Sequence, residues 1–323
     1  MNTMPRILLH NDDCRSLAEW LRAAYPDADF ETCESYDALP GTLARYRPDV
    51  VYSVRFAGTQ GFPRDALFGE HAPRWIANGG AGTDHFGAWD PAQITVTNAA
   101  GVAADMMAEY IMGGFLHFSL DVPRFQRDKA ARFWDPARMV VPLRGKTLVI
   151  VGLGHTGRAL ALKAKAFGMI VIGTRAHPKA TAHVDEVYGA DDLLAVMPRA
   201  DFVAVCTPLI GSTQNLIGAG QIAALKKGVV LADVSRGGVV DQLALGRALE
   251  SRHIAGAVLD VFEVEPLPKD NLLWQADNVI ISPHCSSVYA EWGRESFDLF
   301  LENLDCWMRD APLRNVVDPK LGY

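Results

Sequence analysis

The stretch "TLVIVGLGHTGRALALKAKAFG", residues 147–168, constrains this chain more than any other. A short apolar run, the signature of a buried strand, leads straight into Gly152, Gly154 and Gly157. A helical pattern then begins at once. The three glycines answer three demands. Gly152 allows the tight turn, Gly154 lets the backbone approach a pyrophosphate, and Gly157 lets helix and strand pack closely. The first turn of the helix presents free N–H groups and the positive end of its dipole, so anions gather there. His155 and Thr156 fall inside the loop. Alone, G-x-G-x-x-G is a weak signal; between such a strand and such a helix it reads as a dinucleotide-binding turn.

The same alternation of strand and helix runs along the chain. Before the loop come "RILLH", "SLAEWLRAAYP" (with Ser16 as N-cap and Pro26 as stop), "DFETCES", a short helix in "ALPGTLARYRP", "DVVYSV" and "PRWIANGGAGTDHF". After it come "MIVIGTR", "ADFVAVCTP", "GVVLADVS", "IAGAVLDVF" and "NVIISP". Counting "TLVIV", these are six strand-like segments, and helical patterns separate the first five. That order predicts an α/β protein whose cofactor domain is a doubly wound parallel sheet of the Rossmann type. "GVAADMMAEYIMGGFLHFSLDV" is apolar around most of its circumference and is predicted to be a buried helix. A loop with Arg132, Trp134 and Pro136 follows it, and "AEWGRESFDLFLENLDCWMRD" closes the chain as an amphipathic helix.

The strand after the loop ends in "IVIGTR". About 20 residues past such a loop, an NAD-selecting unit carries an acid for the ribose hydroxyls. Thr174 and Arg175 stand here instead, with His177 and Lys179 close behind. An arginine attracts the 2′-phosphate that an acid would repel, and the Thr174 hydroxyl adds a donor. One or two charge-assisted hydrogen bonds of about 1.5–3 kcal/mol each favour the phosphorylated cofactor by roughly ten- to several hundred-fold. The expected cofactor is NADP(H), with NAD used less efficiently.

Charged residues also stand at the strand ends, where ligands bind in such sheets. "DVSRGGVVD" places Arg236 between a strand and two glycines, "LDVFEVEPLP" places Asp260 and Glu265, and "IISPHCSS" places His284. An arginine can hold a carboxylate and polarise a carbonyl, a histidine can donate a proton, and a glutamate can keep that histidine charged. In this order, "GKTLVIVGLGHTGRALALKAKAFGM", "ADFVAVCTPLIGSTQNLI", "VSRGGVVDQLAL", "IAGAVLDVFEVEPLP" and "NVIISPH" resemble the D-isomer-specific 2-hydroxyacid dehydrogenase family over essentially the whole chain.

That resemblance implies Arg236, Glu265 and His284 as catalytic residues and Asp260 as a contact to the nicotinamide carboxamide. It places Thr207, Pro208 and Ser235 against the cofactor. It puts the substrate carboxylate on the N–H groups of Ala81 and Gly82, with Gly80 allowing close approach and Arg55 within reach as a second candidate. It also implies a discontinuous flavodoxin-like α/β substrate domain, residues 1–99 plus 289–323, around a dinucleotide domain of residues 100–288. The substrate would lie in the cleft between them, in a homodimer joined through the cofactor domain. The implied reaction is hydride transfer from NADPH to the C2 carbonyl of a small 2-keto acid such as glyoxylate or hydroxypyruvate, giving the D-2-hydroxy acid. Three positions depart from the family pattern: Arg175, Asp233 where asparagine is common, and "CSS" after His284. Two further readings stay open, a phosphite-type dehydrogenase of the same fold and a non-catalytic NAD(P)-sensing protein.

Composition narrows the partners. The 323 residues leave room for two domains. A net charge of -7 argues against nucleic acid and anionic membrane as partners, while a local basic pocket for a small acid remains compatible with it. No run of residues has the length and apolarity of a membrane span, and "MNTMPRILLHNDD" does not read as a secretory leader. Five scattered cysteines fit reduced thiols and a cytoplasmic location. No His/Cys spacing suggests a metal. Cys285 is expected to be a packed thiol, and Trp134 and Trp292 to be packing residues.

Overall fold

The computed structural model describes residues 4–56, 59 and 61–322. The chain divides into two compact units, residues 1–102 with 289–323, and residues 103–288. Each carries its own parallel sheet with helices between the strands.

In the first unit the strands are β1 (Ile7–His10), β2 (Phe30–Cys33), β3 (Val50–Ser53), β4 (Trp75–Asn78) and β5 (Thr95–Asn98). They pair in the order β2-β1-β3-β4-β5, all parallel, which is the flavodoxin-like order. Every residue of β1, β3 and β4 is buried, because both faces of the sheet are covered. Leu17 and Leu21 of α1 (Arg15–Ala24) pack on Ile7, Leu9, Val50 and Trp75, as do Phe297, Phe300 and Leu304 of the C-terminal helix, Trp292–Met308. Leu39 and Leu43 of α2 (Leu39–Tyr46) and Leu67 of α3 (Arg64–Leu67) join Leu8, Val51 and Ile76 in a second core. The tail then runs beside β5, with Asn98 N donating to Asn315 O and Val317 N to Val96 O. Ser16 is not the N-cap of α1. The helix starts at Arg15, whose N–H is taken by the Asp13 carboxylate at 3.0 Å.

The second unit contains β6 (Thr147–Val151), β7 (Ile170–Thr174), β8 (Glu186–Tyr188), β9 (Phe202–Val205), β10 (Val229–Asp233), β11 (Ile254–Leu259) and β12 (Val279–Ile281). Their order is β12-β11-β10-β9-β6-β7-β8, again all parallel. The direction of winding reverses between β6 and β9, which makes the carboxyl end of β6 the topological switch point. Alternate residues of β6 feed two cores. Leu148 and Ile150 meet Ile111 and Phe115 of α4 (Ala104–Ser119). Val149 and Val151 face the opposite side, in one cluster with Leu193 and Val196. The remaining helices are α5 (Val122–Ala130), α6 (His155–Ala166), α7 (Leu193–Val196), α8 (Ala219–Ala224) and α9 (Gln242–Glu250). The sequence reading missed β8, which is three residues long, and α5, which buries no residue. No helix among the described residues is long and apolar enough to cross a membrane.

Candidate active site

The switch point is built by the glycine turn. Gly152 sits at φ +101°, in the left-handed region that favours glycine, and a Cβ there would lie 2.9 Å from the Cys206 carbonyl oxygen. At Gly157 an added Cβ would fall 2.0 Å from the Gly152 oxygen, so only glycine permits α6 to begin this close to β6. Gly154 is exposed and a Cβ there would meet nothing within 4 Å. That open space over the N-terminus of a 12-residue helix, with no side chain capping it, is where a pyrophosphate fits. The residues present therefore suit a dinucleotide. His155 is exposed, and Thr156 is half-buried with its hydroxyl on the Met107 sulfur. Thr207 and Pro208 follow β9 and are half-buried.

Thr174 is the last residue of β7 and is 2% exposed. Its hydroxyl is thus not available to a ligand in the way the sequence suggested: the strand alternation that aims it inward also leaves Arg175 outside. Arg175 is half-buried, its N–H pairs with Tyr188 O, and its side chain has no carboxylate partner among the described residues. His177 and Lys179 are exposed beside it.

Glu265 and His284, 19 residues apart in the chain, meet beyond the ends of β11 and β12. His284 Nδ1 lies 2.9 Å from Glu265 Oε2, and Phe262 N donates to Glu265 Oε1 at 3.0 Å. Partial burial pushes the Glu265 carboxyl up. The bonds from His284 and the Phe262 N–H, with the charges of His284 and Arg236, outweigh it and leave the carboxyl below its ordinary value. Both side chains remain partly open to solvent, at 40% and 35%. His284 holds φ +54°, an uncommon backbone state for a non-glycine residue. Asp260 explains how it is held. Its carboxylate, 1% exposed, accepts from the N–H groups of Cys285 and Ser286 at 2.8 and 2.9 Å and from the Ser282 hydroxyl. Ser282 also bonds Tyr110 of α4. Beside the expected contact with a carboxamide, the Asp260 oxygens have these partners within the chain. They brace the turn that presents His284, and neither Ser282 nor Tyr110 was legible as part of that turn from sequence.

Arg236 lies past β10, half-buried, with Nη1 donating to Ser235 O at 2.8 Å. Ser235 itself is buried and donates both its N–H and its hydroxyl to Asp233. The proposed substrate loop belongs to the first unit. It leaves β4 at Asn78, with Ala81 exposed and Gly80 and Gly82 half-buried, and Arg55 is exposed past β3. Two packing expectations are corrected. Cys285 is exposed rather than packed, because its backbone rather than its thiol is what Asp260 anchors. Burial and the Asp260 charge push that thiol up, away from a thiolate. Trp134 is 88% exposed, in the loop that follows α5.

Comparison with known proteins agrees with this geometry. The family description "D-isomer specific 2-hydroxyacid dehydrogenase, NAD binding domain" matches residues 112–286. The chain is 32% identical over 268 residues to glyoxylate reductase of Korarchaeum cryptofilum, covering 80% of this chain and 81% of that one. It is 35% identical over 259 residues to D-3-phosphoglycerate dehydrogenase of Methanocaldococcus jannaschii, covering 79% of this chain but spanning only about half (49%) of that relative's length. Among solved structures, a D-isomer specific 2-hydroxyacid dehydrogenase from Xanthobacter autotrophicus, in complex with NADPH and MES, superposes with a TM-score of 0.84. It is 29% identical and covers 99% of this chain and 100% of that one. With a dinucleotide turn at the switch point of one unit and a flavodoxin-like sheet in the other, this chain belongs to the D-isomer specific 2-hydroxyacid dehydrogenase family, whose members are NAD(P)-dependent oxidoreductases.

Proposed function

We propose that this chain is an NADPH-preferring reductase of small 2-keto acids of the glyoxylate and hydroxypyruvate kind, forming the D-2-hydroxy acid. The observation that carries the reading is the Glu265–His284 pair: it occupies Nδ1 and leaves Nε2, partly open to solvent, to give a proton. When bound, the reduced nicotinamide supplies hydride to the C2 carbonyl carbon. Arg236 polarises that carbonyl and pairs with the substrate carboxylate, which the N–H groups of the 80–82 loop also hold. The protonated His284 ring delivers its proton to the oxygen as negative charge develops there. Glu265 stabilises the ring while it is charged and fixes which nitrogen faces the substrate. Arg55 is assigned a supporting role at the substrate.

The preference for NADPH rests on Arg175, a guanidinium without a carboxylate partner among the described residues, at the tip where an acid would select NAD. The NADPH complex of a structural neighbour is in keeping with it. A homodimer through the cofactor unit is proposed on the exposed apolar run Phe133, Trp134, Met139, Val140 and Val141, which calls for a cover. The five free cysteines support a cytoplasmic setting.

The test is kcat/KM for NADPH and NADH with glyoxylate, hydroxypyruvate and its phosphorylated form, on wild type and two variants. Arg175→Asp is expected to lower kcat/KM for NADPH by about 100-fold while sparing NADH. His284→Ala is expected to lower kcat by about 100-fold or more with NADPH binding intact. Preference for the phosphorylated acceptor would replace the small-acid reading. No turnover of any 2-keto acid would refute the assignment as a reductase.

A further inference from the structure

The loop between β4 and the Thr83 turn has an unusual support. Four consecutive carbonyls are drawn to one side. Gly79 O accepts from the Ser296 hydroxyl at 2.7 Å. Gly80 O accepts from Asn78 Nδ2 at 2.9 Å and from Ala99 N at 2.9 Å. Ala81 O accepts from Asn98 Nδ2 at 2.7 Å, and Gly82 O from Asn78 Nδ2 at 2.8 Å. The donors are interior groups: Asn78, Asn98 and Ser296 are 4%, 5% and 2% exposed. Asn98 is held in turn, its Oδ1 accepting from Ala100 N at 3.1 Å and its backbone pairing with Asn315 on both sides.

In a trans peptide the C=O of one residue and the N–H of the next point in opposite directions. Pulling the carbonyls of Gly79, Gly80 and Ala81 inward therefore turns the N–H groups of Gly80, Ala81 and Gly82 outward. None of those three N–H groups has an acceptor among the described residues. Three successive free N–H groups on a curved backbone form an anion-binding concavity. Left unsupported, a glycine-rich loop of this length would populate other conformations and lose that alignment. An amide nitrogen suits this role because it can donate to two carbonyls at once, as Asn78 does, and brings no charge to compete with the anion.

We propose that Asn78 and Asn98 are positioning residues, which set the affinity for the substrate carboxylate by locking the 79–82 peptide planes and never touch the substrate. The proposal rests on the reading of this loop as the carboxylate holder. Neither side chain is interchangeable with its acid, because aspartate offers an acceptor where a donor is needed and places negative charge beneath the anion.

The experiment uses the full-length protein and compares glyoxylate with its uncharged amide as acceptors, on wild type, Asn98→Asp, Asn98→Ala and Asn78→Asp. KM for glyoxylate is expected to rise about tenfold or more in each variant, with kcat changed by less than about threefold. The Kd for NADPH and the KM for glyoxylamide are expected to stay within about twofold of wild type. A merely structural lesion would move both acceptors together. Equal loss with both acceptors, or an unchanged glyoxylate KM in folded variants, would overturn the clamp while leaving the reading of the loop in place. If wild type itself makes no distinction between glyoxylate and glyoxylamide, the carboxylate assignment of the loop fails, and the clamp falls with it. Asn98→Asp keeps the side-chain volume, so it tests the point even where the alanine variant does not fold.

Discussion

Asp233 stands directly behind the turn that carries Arg236 and is 3% exposed. Its Oδ1 accepts from Ser235 N at 3.0 Å and from the Ser235 hydroxyl at 2.5 Å. Burial pushes the carboxyl up, the Ser235 bonds resist, the neighbouring Asp260 pushes further up and Arg236 resists, leaving it at about 7. Burial, with the Asp233 charge added to it, pushes the nearby Cys206 thiol up as well. A folded-state value above the unfolded one means that folding binds a proton. The native state is therefore at full strength below the unfolded carboxylate value near 4 and loses stability as pH rises towards 7. Asp233→Asn keeps the shape and removes the titration. It is expected to be more stable than wild type at pH 8, by up to about 4 kcal/mol, with the difference vanishing near pH 4; urea unfolding at both pH values measures this. A difference that is the same at both pH values would show that the carboxylate is not what titrates. Sequence flagged this position only as an aspartate where asparagine is common. That it is buried, and hence titrates near neutrality, follows from the packing around β10. The same holds for Cys285 and Trp134, whose side-chain directions no local pattern dictates. Glu265 and His284 were legible because their chemistry is carried by residue type and by place at a strand end.

Among elements, the β6–turn–α6 unit was the most legible, since its demands are local. Three glycines within six residues each meet a steric limit that their immediate neighbours impose. Gly157→Ala is expected to cost about 1–3 kcal/mol of stability by driving a methyl into the Gly152 carbonyl. It should also weaken dinucleotide binding by about tenfold or more, because the N-terminus of α6 must retreat; thermal unfolding and fluorescence titration measure the two effects. Unchanged cofactor affinity would separate helix placement from phosphate binding. Elements that lack such demands escaped notice. α5, "VPRFQRDKA", has no fully buried residue, so no apolar stripe announces it, and its ion pair from Arg124 to Asp128 is half-buried. β8 is too short for a period of two to show. The start of α1 moved from Ser16 because Asp13, earlier in the chain, already supplies an acceptor to Arg15 N. The two asparagines that end β4 and β5 read in sequence as ordinary strand-to-turn residues.

On the scale of the whole molecule, the alternation of apolar runs and helical patterns determined the class of fold. A strand buried on both faces must be apolar throughout, and a parallel neighbour must be reached by a crossover. The glycine turn, Arg236, Glu265 and His284 likewise came from residue types at motif spacing. What order the strands take in space is not written in any local pattern. The seven-stranded sheet reverses direction at β6, and the C-terminal helix returns to pack on β1, β3 and β4 of the first unit, where Phe297, Phe300 and Leu304 share a core with Ile7, Leu9, Val50 and Trp75. Tertiary structure alone also decided which carbonyls and N–H groups of the 79–82 loop face inward, and which carboxylates are buried. Those are properties of neighbours distant in sequence, such as Ser296 and Asn98 around that loop or Asp260 beneath His284, and a chain acquires them only when its cores close.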